Sequence, residues 1–131
     1  MAYQRFLLVG LGGFVGANLR YLVGVWVQQK WGTSFPYGTF IVNVSGSFIL
    51  GLFATLALRY GWLDHWRLLF AVGFVGAYTT FSTFEYESLQ LMAYGGRWLS
   101  AAINVIGSVV AGLLAAYLGV VLARILTHGQ H

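Results

Sequence analysis

At 131 residues the chain has the length of one domain, and 59% of those residues are hydrophobic while only 8% are charged, about a third of the usual charged share. Seven basic and three acidic side chains cannot cover a water-facing surface, and with a mean hydropathy of +0.76 the composition excludes a soluble enzyme and points to an integral membrane protein. The basic residues behind the net charge of +4 stand singly at segment ends, which gives no footprint for nucleic acid; the absence of Cys removes disulfides and thiolate chemistry; three His, two of them in the last four residues, form no metal-binding cluster.

Runs of about twenty apolar residues match a hydrocarbon core of ~30 Å, and four occur, near residues 4–27, 38–59, 67–92 and 98–126, leaving no room for a second domain. The first run follows Arg5 like a signal peptide but is too long and lacks a small-residue cleavage site, so it is expected to be a span. All five tryptophans fall at span ends or in connections, as do Tyr3, Tyr37, Tyr60 and Tyr94, which is the placement of interfacial aromatic belts in a lipid bilayer. An even number of spans puts both termini on one side with Arg5, Arg59, Arg67 and Arg124, against Lys30 and Arg97 on the other, with Arg20 counted or not. That near-balance fits two readings: a small bias for termini in the cytoplasm, or insertion in both orientations and pairing of inverted copies.

Eighteen glycines would weaken soluble helices, but in lipid small residues let backbones approach. Gly12 with Gly16, Ser47 with Gly51, Ser108 with Gly112 and Ala115 with Gly119 are small pairs spaced by four, expected to pack a tight bundle that assembles further.

Groups that are expensive to bury mark function in a membrane chain. In the second span Thr39, Asn43 and Ser47 recur every four residues, and Ser100, Asn104 and Ser108 repeat the spacing in the fourth, so each set lies on one helix face. Each stripe reads either as hydrogen-bonding glue between helices or as an uncharged donor path for a small anion. In the third span the run Gly73-Phe-Val-Gly-Ala-Tyr-Thr-Thr-Phe-Ser-Thr-Phe84 places Gly76, Thr79 and Thr80 at about mid-membrane depth, where weak helix formers predict a break. Carbonyls freed there can coordinate a cation. Phe81 and Phe84 follow on one face, beside the hydroxyls of Thr79, Thr80, Ser82 and Thr83, and a phenyl ring's positive edge can meet an anion without trapping it. Asp64 lies in a connection, and Glu85 and Glu87 sit beyond the Phe pair, so no acid stands mid-span to couple protons or cations. Arg20, some seven residues from the end of span one, either snorkels outward or gives a pathway mouth a positive potential.

These residues resemble the CrcB/Fluc fluoride channels. The marks are Gly-Ala-Asn-Leu-Arg-Tyr at 16–21, Gly-Thr-Phe-Ile-Val-Asn-Val-Ser-Gly-Ser-Phe at 38–48, and Gly-Phe-Val-Gly-Ala-Tyr-Thr-Thr-Phe-Ser-Thr-Phe at 73–84; the likeness covers essentially the whole chain. It implies an all-α fold of four transmembrane helices with a broken third, an antiparallel homodimer of dual topology, two fluoride pores, and a structural sodium ion at the dimer centre. By the same resemblance Asn43 is the pore asparagine, Phe81 and Phe84 the aromatic pair, Ser108 a polar-track serine, and Gly76 and Thr79 the main-chain ligands of sodium. Arg20 and Glu87 match vestibule residues. Thr39, Ser47, Ser82 and Asn104 complete the expected pathway, although Asn104 stands where some members carry an aromatic hydroxyl and Glu85 where a small or uncharged residue is common. The implied role is passive export of fluoride across the cell membrane, with no enzyme activity. A small four-helix exporter of the multidrug or guanidinium type is the competing reading; it requires a membrane carboxylate in the first span, where this chain has Arg20 and no acid.

Overall fold

The computed structural model describes residues 2–62 and 64–128; of the three histidines, His131 lies outside the described residues. Four helical segments are long and apolar enough to cross a membrane, Ala2–Trp31, Tyr37–Tyr60, Asp64–Ala93 and Trp98–Thr127. The first, second and fourth form α1 (Ala2–Trp31), α2 (Tyr37–Tyr60) and α5 (Trp98–Thr127). The third is composite: α3 spans residues 64–78, Thr79 and Thr80 are extended, and α4 covers Phe81–Ala93.

Helix α1 runs on to Trp31, beyond the expected end near 27, because its last turn holds itself together. Lys30 lies 5.2 Å from the Trp26 ring centroid, a cation–π pair at helical spacing, and Trp31 packs edge-on against Tyr37 at 5.8 Å. Gly32 and Gly61 take the positive φ values of 77° and 58° that end α1 and α2, and the Gly61 N–H returns to the Ala57 carbonyl as a C-cap.

The long pairings are backbone to backbone. A Cβ at Gly12 or Gly16 would collide with the carbonyls of Leu69 or Phe74 in α3, and one at Gly51 or Gly119 would collide with Ala116 of α5 or Phe48 of α2. The small pairs read from the sequence thus seat α1 on α3 and α2 on α5. Inside α3 the stretch Arg67–Val75 is wound as a π-helix, a wider winding than the sequence pattern signals, and its Gly73 meets the Val9 carbonyl of α1 across this contact. Only 11% of the most apolar window of α1, α2 or α5 is buried within the chain, so the outward Leu, Phe and Tyr side chains require lipid or a second protein.

Candidate functional site

The interruption of the third span is held open by α2. A continuous helix would direct the Thr80 N–H to the Gly76 carbonyl; here it is given to Asn43 Oδ1 at 2.7 Å, while Asn43 Nδ2 donates to the Thr80 carbonyl at 2.9 Å. The Asn43 amide therefore stands in for a peptide group: it satisfies the N–H that the helix has released and adds a donor to the carbonyl of Thr80, the N-cap of α4. The Thr83 N–H, which would otherwise meet the Thr79 carbonyl, caps on Thr80 Oγ1 at 3.4 Å. The carbonyls of residues 76–79, Gly76 and Thr79 among them, thus lose the i+4 N–H partners that an unbroken helix supplies. Thr79 O receives a long contact of 3.4 Å from Arg20 Nη1, and Gly76, still helical at φ −59° and ψ −34°, is exposed. Oxygen-only donors of this kind suit a hard monovalent or divalent cation, and the open side of Gly76 leaves room for more donors from outside the chain.

Three further contacts fix the geometry. Thr79 Oγ1 folds back on the Val75 carbonyl at 2.9 Å. Tyr78, buried and stacked on Phe74 at 5.9 Å, places its hydroxyl 2.9 Å from Ser45 Oγ; because Ser45 spends its proton on Ile41 O at 2.6 Å, the phenol is the donor. Gly46 lacks a Cβ where one would meet Thr79 Cγ2.

Beside the interruption lies a groove of about 410 Å³ lined by Asn43, Ser47, Thr79, Phe81, Phe84 and Ser108, with apolar residues of α5. With Thr80, which also lines it, seven of the residues singled out from the sequence converge here. The Phe81 and Phe84 rings are 5.7 Å apart and tilted by 39°; Phe81 is 69% exposed and Phe84 only 8%. Ser47 is hydrogen-bonded to the Asn43 carbonyl at 2.7 Å, and Ser108 leans on Asn104 Oδ1 at 3.4 Å. Asn43, with a second N–H beyond the one given to Thr80, and both phenyl rings line the groove.

A second cavity, about 590 Å³, opens where α1 ends and α2 and α5 begin, and its lining includes Thr39, Glu87, Gln90 and Arg97. Arg97 closes one edge by donating to the Ser34 carbonyl and to Ser100 Oγ. The polar stripe of α2 thus passes from Thr39 in this cavity to Asn43 and Ser47 in the groove, and the stripe of α5 passes from Ser100 near the cavity to Ser108 in the groove. Asn104 lies between these ends but is 1% exposed, facing protein. Ser82 is exposed on α4 and lines neither space.

The sequence reading did not single out Ser45, Tyr78 or Ser88. Ser88 carried a usable signal, since Phe84 and Ser88 are spaced by four and share a helix face. Tyr78 and Ser45 carried none, because their bond joins residues 33 positions apart.

Comparison with known proteins gives this arrangement a lineage. The sequence model of the family described as CrcB-like protein, Camphor Resistance (CrcB), matches residues 7–120. A protein of Acidobacterium capsulatum named Fluoride-specific ion channel FluC is 48% identical over 123 residues, covering 92% of this chain and 97% of its own. Proteins of the same name from Chloroflexus aurantiacus and Thermus thermophilus are 47% and 45% identical, with 92% and 91% of this chain covered and 96% and 93% of theirs. With all three motif-bearing stretches inside residues 7–120 and relatives of this identity covering more than nine-tenths of the sequence, the chain belongs to the CrcB family.

Proposed function

We propose that the protein is a passive, fluoride-selective channel of the cell membrane, acting as an antiparallel homodimer with two pores and not as an enzyme. The observation that carries this reading is the groove in which the Phe81 and Phe84 rings, Asn43 and Ser108 meet beside the interrupted third span. Its relatives bear the name of a fluoride-specific channel, and the groove's chemistry suits that ion: amide and hydroxyl donors with ring edges, no fixed positive charge in the lining to trap an anion, and no carboxylate to repel it.

The driving force follows from elementary chemistry. Hydrogen fluoride crosses a bilayer uncharged and ionises inside, so fluoride accumulates in a cell in acidic surroundings. An interior-negative potential then drives the anion outward by ~2.3 kcal/mol per 100 mV, which makes a pore sufficient. Entry runs through the cavity lined by Thr39, Glu87 and Arg97, and conduction follows the polar stripes of α2 and α5 past the ring pair. Arg20, through its bond to the Thr79 carbonyl, adds positive potential near the interruption.

The same reading gives Gly76 and Thr79 a role in assembly. Their released carbonyls would hold a sodium ion together with the same pair from an inverted second copy, and the bound ion would supply charge that ties the two interrupted helices together. Sodium replacement by a large organic cation such as N-methyl-D-glucamine during purification should reduce the dimer fraction. The function itself is tested by fluoride efflux from liposomes, recorded with a fluoride electrode beside a chloride control; fluoride release that outpaces chloride supports the channel, and equal release contradicts it.

A further inference from the structure

We infer that Ser88 and Asn104 are positioning residues for the anion route, a buried strut between α4 and α5 that fixes the Phe84 ring. Asn104 is 1% and Ser88 4% exposed. Asn104 Nδ2 donates to Ser88 Oγ at 2.9 Å, and Ser88 Oγ passes its own proton to the Phe84 carbonyl at 2.8 Å. The direction of the chain is fixed, because an amide nitrogen can only donate and the serine has a single proton to give. On the other side Asn104 Oδ1 accepts from Ser108 at 3.4 Å, so the amide has a partner at each end.

The placement gives the strut its meaning. Phe84 and Ser88 share one face of α4 and Thr80 caps its start; Asn43 of α2 ties Thr80, and Asn104 of α5 ties Ser88. Phe84 sits between these two anchors with its ring buried, whereas Phe81, one helical turn earlier on the groove side, is exposed and has no such bracket. In lipid, where apolar surface gives helices little reason to choose one rotation over another, a bonded pair of buried polar groups sets the rotation of the helix. The strut therefore decides which way the Phe84 edge faces. This inference rests on the channel reading and adds to it a residue, Ser88, that lines neither the groove nor the entry cavity.

The test compares fluoride efflux per folded dimer, with dimer content from gel filtration, for the wild type, Ser88→Ala, Asn104→Leu, Ser88→Thr and Phe84→Ile. Ser88→Ala and Asn104→Leu differ in what they leave unpaired, so one remains informative where the other folds poorly. Each should lower fluoride flux by about three- to tenfold, the scale of one interhelical hydrogen bond in a bilayer, and should narrow the preference for fluoride over chloride. Ser88→Thr keeps the donor and should restore flux. In a Phe84→Ile background Ser88→Ala should have no further effect, since the ring that the strut aims is gone. A fall in thermal stability with unchanged flux per dimer and unchanged selectivity would mean a packing role and would overturn the inference, as would additive losses in the double variant. Wild-type vesicles that release no fluoride would overturn the channel reading together with the strut; wild-type release with normal Ser88→Ala flux would overturn the strut alone.

Discussion

Asn43 does two jobs with one amide, and that makes its substitutions predictable. Its oxygen and one N–H are spent on the Thr80 backbone, and the other N–H is left for the groove. Asn43→Asp places a carboxylate oxygen opposite the Thr80 carbonyl, losing a bond and adding repulsion to any anion. Flux should fall by more than about tenfold, with a stability loss of about 1–3 kcal/mol from the lost hydrogen bond and the oxygen facing the carbonyl in its place, measured by efflux at matched protein content and by thermal melting in detergent. Phe81→Ile and Phe84→Ile retain apolar bulk and remove the ring edge, so flux should drop while the dimer persists; unchanged flux in both would mean that the pair is packing alone. The residues that convey chemistry by type, Asn43, Phe81, Phe84 and Ser108, could be read from sequence and converge in one groove. Ser45 and Tyr78 could not be, because a lone Ser or Tyr in a span is ordinary until its partner on another helix is known, whereas Ser88 follows Phe84 at helical spacing and could have been.

At the scale of elements, the third span shows where local propensity stops being a guide. Gly76 is the weakest helix former of the stretch, yet it stays helical, and the extended residues are Thr79 and Thr80 with ψ of 158° and 116°. The difference lies in tertiary bonding: Asn43 reaches Thr80, and no residue of α2 offers the same substitute at Gly76. The π-helical winding of Arg67–Val75 likewise answers to the contact of Gly73 with α1 and left no mark in the hydrophobic pattern. Glycines predict two kinds of mutant. Gly16→Leu drives a side chain into the Phe74 carbonyl and should abolish the folded protein, with loss of the monodisperse peak in gel filtration. Gly76 has nothing closer than 3.8 Å to an added Cβ, and that atom belongs to its own helix. Gly76→Leu should therefore leave the subunit helical by circular dichroism and, on the proposed pairing through the released carbonyls, should shift the gel-filtration peak from dimer to monomer. A dimer unaffected by Gly76→Leu would place the assembly surface elsewhere.

For the whole molecule, membrane character and four spans followed from composition and apolar length alone, because lipid imposes a length on every crossing helix. The inverted pairing proposed above is a different matter, since charge balance between the two sides constrains orientation only through a small difference in Lys and Arg counts. Thr33 and Ser34 are exposed in the connection after α1, and Arg97 takes only the main-chain carbonyl of Ser34. Thr33→Lys with Ser34→Lys should therefore bias insertion without disturbing that contact; the biased protein should lose activity alone and regain it when expressed with a copy biased the other way. Full activity from a population inserted in a single orientation would contradict antiparallel pairing. Passive, selective conduction of fluoride is the function proposed for this fold. The most direct test loads liposomes containing the purified wild-type protein with fluoride or chloride and follows release with ion-selective electrodes, with and without a potassium ionophore and with and without a proton gradient. A passive fluoride channel gives fast fluoride release that requires the ionophore to balance charge, ignores the proton gradient and exceeds chloride release throughout; obligatory movement of one proton with each fluoride, or chloride release equal to that of fluoride, would rule such a channel out.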